Sequence, residues 1–159
     1  MNLPMHDLLK EAAAVISAAQ DFGDALLKNL PKVEQKDCKR CAGKGYAHFL
    51  GGDRAPGQCF RCAGSGTVPA TRKGAALLEA AFTERNAERL RVLYRGETLA
   101  ISILEAAAAE EGADWSVANR LRVTRERREG TARHGKIAAV AAAAARVKLE
   151  SLTNGKKAA

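Results

Sequence analysis

The chain has 159 residues, about the length of one ordinary domain, and a net charge of +8. Alanine supplies 33 of those residues and aromatic side chains only 4%, a composition that argues against a β-sandwich or barrel and favours helices. No apolar run approaches the roughly 18–20 residues that cross a bilayer. The first ten residues also lack a charged-then-apolar leader, so a cytoplasmic protein without a membrane partner is expected.

In chain order, Leu8, Leu9, Ala12, Val15, Ile16, Ala19, Phe22, Leu26, Leu27 and Leu30 recur at spacings of three and four. They predict a helix over 5–29 that Pro31 closes, with Gly23 as a candidate bend. Polar residues 32–37 lead into a glycine-rich stretch, 38–68, where Tyr46 to Leu50 reads as a short strand followed by a loop to Gly57. Pro69 opens a helical region carrying Leu77, Leu78, Ala81, Phe82, Leu90, Leu93 and Tyr94, with Gly96 as a break. A further helix then runs through Leu99 to Ala109 and ends at Gly112. Asp114 or Ser116 caps the next one, which ends near Glu129 with Gly130 beyond it, and an alanine-rich helix occupies about 131–152. The expected fold is mainly α, with helices around a small four-cysteine module bearing a short β-hairpin. Its segments are an N-terminal helix (1–31), the module (32–68), a helical region (69–152) and a flexible basic tail (153–159). Alanine-rich helices bury little area each, so self-association or a partner is a natural complement.

Charge is unevenly spread. Residues 38–68 carry +4 and residues 113–159 carry +7, while 1–37 carry −2 and 69–112 carry −1. The module and the last third are therefore the places to look for anionic partners.

Cys38-Lys39-Arg40-Cys41-Ala42-Gly43-Lys44-Gly45 and Cys59-Phe60-Arg61-Cys62-Ala63-Gly64-Ser65-Gly66 both fit C-x-x-C-x-G-x-G. Two residues between cysteines let a tight turn present both thiolates to one metal, and the glycines admit positive φ. Seventeen residues separate Cys41 from Cys59, a spacing that suits one zinc held by Cys38, Cys41, Cys59 and Cys62. Four thiolates leave no open position, so that zinc would be structural. A redox dithiol pair and disulfides are the alternative uses of these cysteines. His48, between the knuckles, is a candidate substitute ligand that four thiolates make unnecessary. With few apolar residues, the module would depend on its metal for folding.

These octets resemble the cysteine-rich zinc module of the DnaJ cochaperones, whose signature is C-x-x-C-x-G-x-G. That family carries four copies and two zincs, so two copies imply one zinc. The resemblance covers about 31 residues, and no His-Pro-Asp tripeptide of a J-domain occurs in the chain. A weaker resemblance links the paired knuckle to the late antitermination proteins of lambdoid phages, which are small regulators.

Ala108, Gly112, Trp115, Val117 and Leu121 have the outline of a helix-turn-helix. Its second helix would offer Arg120, Arg122, Arg125, Arg127 and Arg128, with Asn119 and Thr124, to DNA or RNA. The competing reading is a solvated helix face carrying pairs such as Arg122–Glu126 and Arg125–Glu129. Lys39, Arg40, Lys44, Arg54 and Arg61 decorate the module as a second candidate surface. Tyr46, Phe49 and Phe60 would either stack on bases or form the module's small core.

No nucleophile elbow, metalloprotease helix, P-loop or dinucleotide fingerprint is present, and His6, His48 and His134 suggest no triad, so an enzyme is not expected. The leading expectation is a small zinc-stabilised nucleic-acid-binding or transcription-regulating protein. The alternatives are a protein-interaction adaptor that grips a partner, such as transcription machinery, as cochaperones do, and a virion or assembly component. A homo-oligomer is one option for the assembly.

Overall fold

The fold comes from a computed structural model that describes residues 5–47, 57–109 and 114–154. It is mainly α. Its elements are α1 (Met5–Lys28), β1 (Gln35–Asp37), β2 (Tyr46–Ala47), β3 (Gly57–Gln58), β4 (Thr67–Pro69), α2 (Arg72–Ala109) and α3 (Trp115–Asn154). Among the described residues no helix is long and apolar enough to cross a membrane. His48, Phe49, Leu50, Arg54, Gly112 and the tail after Asn154 lie outside the described residues.

The chain divides into two compact units: Met1–Leu30 with Ala81–Arg146, and Pro31–Ala80 with Val147–Ala159. In the first, α1 and α2 run antiparallel, as do α2 and α3. Asp24 meets Arg89 and Ala12 packs with Ala100 and Leu104, while Arg125 pairs with Glu105 and Arg146 with Glu84.

α1 forms as expected and most of its predicted stripe is at least partly buried, though Phe22 is exposed; Asp7 lies in its first turn and Lys28 in its last, each favourable to the helix dipole. Gly23 does not interrupt it. The added Cβ would lie 3.0 Å from Arg89 Cγ, so the glycine serves close packing.

Two predicted breaks are not breaks. α2 continues through Gly96, where a Cβ would stand 2.5 Å from that of Ala19; the glycine lets α1 approach. α3 continues through Gly130, whose Cβ would meet nothing within 4 Å. Glycine costs a helix only about 1 kcal/mol relative to alanine, and strong helix formers on either side outweigh it. Two long helices therefore replace the expected three or four.

The seam of the first unit sets mostly small residues of α3 against a mix of alanines and larger side chains of α2. In α3 the buried Val117, Thr124, Ala138 and Ala145 are separated by seven or fourteen residues, the repeat of helices that pair along their length. On the α2 side it holds the buried Ala87, Leu93, Glu97, Ala100, Ile101, Leu104 and Ala107. Larger apolar residues such as Val140 and Ile137 are exposed.

In the second unit, β1 pairs antiparallel with β4 and β2 with β3. The segment 32–37, expected as a polar lead-in, thus holds a strand, and β2 keeps only the start of the predicted Tyr46 to Leu50 strand among the described residues. At the head of α2, the Thr71 hydroxyl accepts the Gly74 amide at 2.9 Å and caps the helix.

Candidate metal centre and basic surfaces

The two octets fold alike. After each C-x-x-C, three residues adopt left-handed backbone: Ala42 shares it with Ala63, and Gly43, Gly45, Gly64 and Gly66 have φ between 78° and 85°. Two of these are glycine by necessity. A Cβ on Gly45 would collide with the Gly64 carbonyl, and one on Gly66 with the Gly43 carbonyl. The alanines tolerate φ of 49° and 47° at some steric cost. Matching amide bonds close each turn, from Gly43 to the Cys38 carbonyl and from Gly64 to the Cys59 carbonyl, both 3.3 Å. The halves also exchange bonds. The Cys38 amide donates to the Gly66 carbonyl at 2.8 Å, and the Cys59 amide to the Gly45 carbonyl at 2.9 Å.

This brings Cys38, Cys41, Cys59 and Cys62 together, all buried, with their sulfurs within 4.8 Å of one another. Cys38 Sγ lies 3.9 Å from Cys59 Sγ and Cys41 Sγ 3.7 Å from Cys62 Sγ, and all four thiols are unbridged. A tetrahedron with metal–sulfur bonds of about 2.3 Å has sulfur–sulfur edges of about 3.8 Å. The cluster therefore has the dimensions to hold a metal ion. The Gly45 amide donates to Cys41 Sγ at 3.3 Å, the kind of outer contact that steadies a thiolate ligand. Val68 packs against the cluster.

The thiols differ electrostatically. Burial pushes Cys41 up to about 11, against the Gly45 amide. Burial is also the largest influence on Cys62, but amides of Gly66 and Gly64 and the neighbouring thiols outweigh it and pull that thiol below 9.0.

Around this buried cluster Lys39, Arg40, Lys44 and Arg61 are all exposed, and no acidic residue occurs among the described residues of 38–68. Phe60 is 66% exposed and Tyr46 is exposed as well, so neither forms a core. The Arg40 guanidinium sits over the Phe60 ring, 3.6 Å from its centroid.

The arginines of α3 are placed differently. Its length and antiparallel run along α2 replace the short crossed helices of a helix-turn-helix, and the turn itself falls in 110–113, outside the described residues. Val117 and Leu121 do face inward, while Trp115 is 79% exposed. Arg122 pairs with Glu126 at 2.7 Å and donates to the Asn119 side-chain oxygen Oδ1 at 2.9 Å. Arg125 reaches Glu105 on α2 at 2.6 Å, in place of the expected Glu129, and Arg127 reaches Glu97 at 2.9 Å. Arg120 borders a groove between α1 and α3 with Leu9, Ile16 and Val123, and Arg128 is half-buried. These five do not share one face. Arg125 and Arg127 flank the α2 seam, and Arg122 points elsewhere.

Glu97 had no sequence signal beyond its position, four residues after Leu93 and four before Ile101 on the apolar stripe. It is 2% exposed, and apart from the ion pair to Arg127 its carboxylate has no hydrogen-bond donor among the described residues.

The chain matches no protein-family model, no curated protein and no solved structure.

Proposed function

We propose that the four cysteines hold one structural zinc ion and that the chain is a nucleic-acid-binding protein whose contact surface is the cysteine module. Four soft thiolates at tetrahedral spacing favour zinc over hard cations. They also fill its coordination, so a bracing role fits better than catalysis. The observation that carries the binding reading is the ring of Lys39, Arg40, Lys44 and Arg61, exposed on turns whose backbone the metal would fix. Bound zinc with four thiolates adds negative charge, but that charge is buried while the cations stand outside it. The arginines of α3 take second place, because Arg122, Arg125 and Arg127 already face carboxylates.

The test is an anisotropy titration of the zinc-loaded protein on labelled DNA and RNA at several salt concentrations. Each phosphate that the protein neutralises contributes roughly 0.9 to the salt slope on duplex DNA and 0.7 on single strands. Lys39→Ala with Lys44→Ala should flatten the slope by one to two such steps. Arg122→Ala with Arg125→Ala should change it less. Absence of binding at low salt to any nucleic acid ends this reading.

A protein-adaptor reading rests on one other feature. Between α2 and α3, Leu90, Tyr94, Ala132, Gly135 and Ala139 floor an open groove of about 440 Å³, edged by Arg91, Arg95 and Lys136. Such a groove suits an acidic amphipathic segment, and it becomes the leading surface if nucleic acid does not bind.

A further inference from the structure

We infer that the module takes single-stranded nucleic acid in preference to duplex, with an unstacked base lying on the Phe60–Arg40 pair. The inference rests on the nucleic-acid reading above and narrows it to one class of ligand.

The first ground is the exposure of the ring. Phe60 stands between two buried cysteines of its turn and its next neighbour but one, Cys62, is only 8% exposed, yet two thirds of Phe60 itself face solvent. A lone exposed apolar side chain needs no explanation in general. Here the ring is not idle, because Arg40 from the other knuckle lies on it at 3.6 Å. That contact ties the tips of both knuckles together and sets a cation over one face of the ring. A base can join this pair at the exposed part of the ring.

The second ground is what surrounds the pair. Lys39 and Lys44 on one knuckle and Arg61 on the other supply cations for the phosphates on either side of a stacked base. Tyr46 adds a second exposed aromatic on β2, opposite Gln58, which is two residues before Phe60. Aromatic platforms interleaved with cations are what sequence-tolerant single-strand binding uses, since every base offers a π-face. The third ground is negative. Duplex bases hide their faces inside the helix and are read at their edges from a groove, usually by an α-helix or β-ribbon. The described module has only tight turns and strands of two or three residues.

The probes are labelled single-stranded oligo-dT and oligo-U of about 12 nucleotides, within the site sizes usual for such surfaces, and a duplex of equal length. Zinc-loaded full-length protein is titrated at low salt. The wild type should bind a single strand about tenfold more tightly than duplex, the scale of one stacking contact. Phe60→Leu keeps the charge and removes the π-face. It should lose about tenfold on single strands, leave duplex binding and the salt slope unchanged, and retain its zinc. Phe60→Trp should bind as well as the wild type or better. Equal wild-type affinity for duplex and single strand, or an equal loss on both with Phe60→Leu, overturns the stacking inference and leaves the nucleic-acid reading standing. Binding to neither probe overturns both. The comparison of wild-type affinities needs no variant, so the preference for single strands stands or falls on it even if Phe60→Leu misfolds, and Phe60→Trp then tests the ring.

Discussion

Glu97 on α2 and Arg127 on α3 form an ion pair, 2.9 Å from Oε1 to Nε, in which the carboxylate is 2% exposed and the guanidinium remains half in water. The pair sits in a seam otherwise made of alanine, aliphatic residues and Thr124. Water keeps the arginine partly hydrated, whereas among the described residues the carboxylate has that one partner.

Removing Arg127 should therefore cost more than an exposed pair is worth. Arg127→Met is expected to destabilise the protein by about 3 kcal/mol, the low end of the range for orphaning a buried charge. Adding Glu97→Leu to it should recover most of that loss, because an apolar pair of similar volume meets no desolvation penalty. Urea unfolding of the two singles and the double would measure this. A double variant no more stable than Arg127→Met would show that the pair is not what matters at this position.

The same substitution should act in opposite directions at the two helical glycines. Gly130→Ala adds a methyl into open space on α3 and should stabilise by about 0.5–1 kcal/mol through helix propensity and lost chain entropy. Gly96→Ala places its methyl 2.5 Å from Ala19 Cβ and should destabilise by roughly 1–3 kcal/mol, since α1 must move outward. Melting or urea midpoints of the two variants decide it.

Protein purified without chelator should contain about one zinc per chain, and Cys59→Ser should contain none. That variant should lose the fold of the cysteine module while keeping most of its helical circular dichroism, because small metal modules fold on their metal and the helical unit has its own seam. Loss of the whole helical signal would mean that the two units fold as one.

Metal affinity should climb with pH. Burial holds the metal-free Cys41 thiol at about 11, so it carries a proton at neutral pH that the metal must expel. Each expelled proton strengthens apparent affinity by about tenfold per pH unit, and acid should release the metal. Competition with a chromogenic chelator at two pH values reads the slope directly; a flat response would show that the thiols are already ionised.

A different pH effect belongs to Asp114, whose carboxylate accepts the Ser116 hydroxyl at 2.6 Å and the Ser116 and Val117 amides at 2.9 and 3.3 Å. The Ser116 hydroxyl first, then the Val117 amide, hold it below 3.8. A lowered carboxylate stabilises the fold above its ordinary value, and that contribution fades as pH falls through the lowered one. Asp114→Asn keeps an acceptor at the cap but cannot titrate. Its urea midpoint should trail that of the wild type near neutrality, and the gap should close well below 3.8.

The four-cysteine cluster was legible because its chemistry is local: two cysteines per turn and glycines at fixed offsets encode the geometry almost residue by residue. The helical class was legible from alanine content and from the stripe of α1. What escaped depended on contacts far along the chain. Gly96 and Gly130 look alike in sequence, and only the position of Ala19 separates them. Glu97 is one glutamate on an apolar stripe, and nothing near it in sequence names its partner Arg127, thirty positions away. The arginines of residues 120–128 look like one basic patch as a string, but helical twist distributes them around α3, and Glu105 and Glu97 claim two. Lys36 and Val68 stand opposite each other in a strand pair that neither short segment announces.

The crossed amide bonds between Cys38 and Gly66 and between Cys59 and Gly45 bear on how the cluster assembles. Each knuckle completes the backbone of the other, so a lone knuckle would offer two thiolates on an unfinished turn. A half-formed site is then poorer in both ligands and hydrogen bonds than either end state. Metal uptake should proceed as one concerted event, with the chain passing from open to closed and no lasting population in which a single knuckle grips the ion.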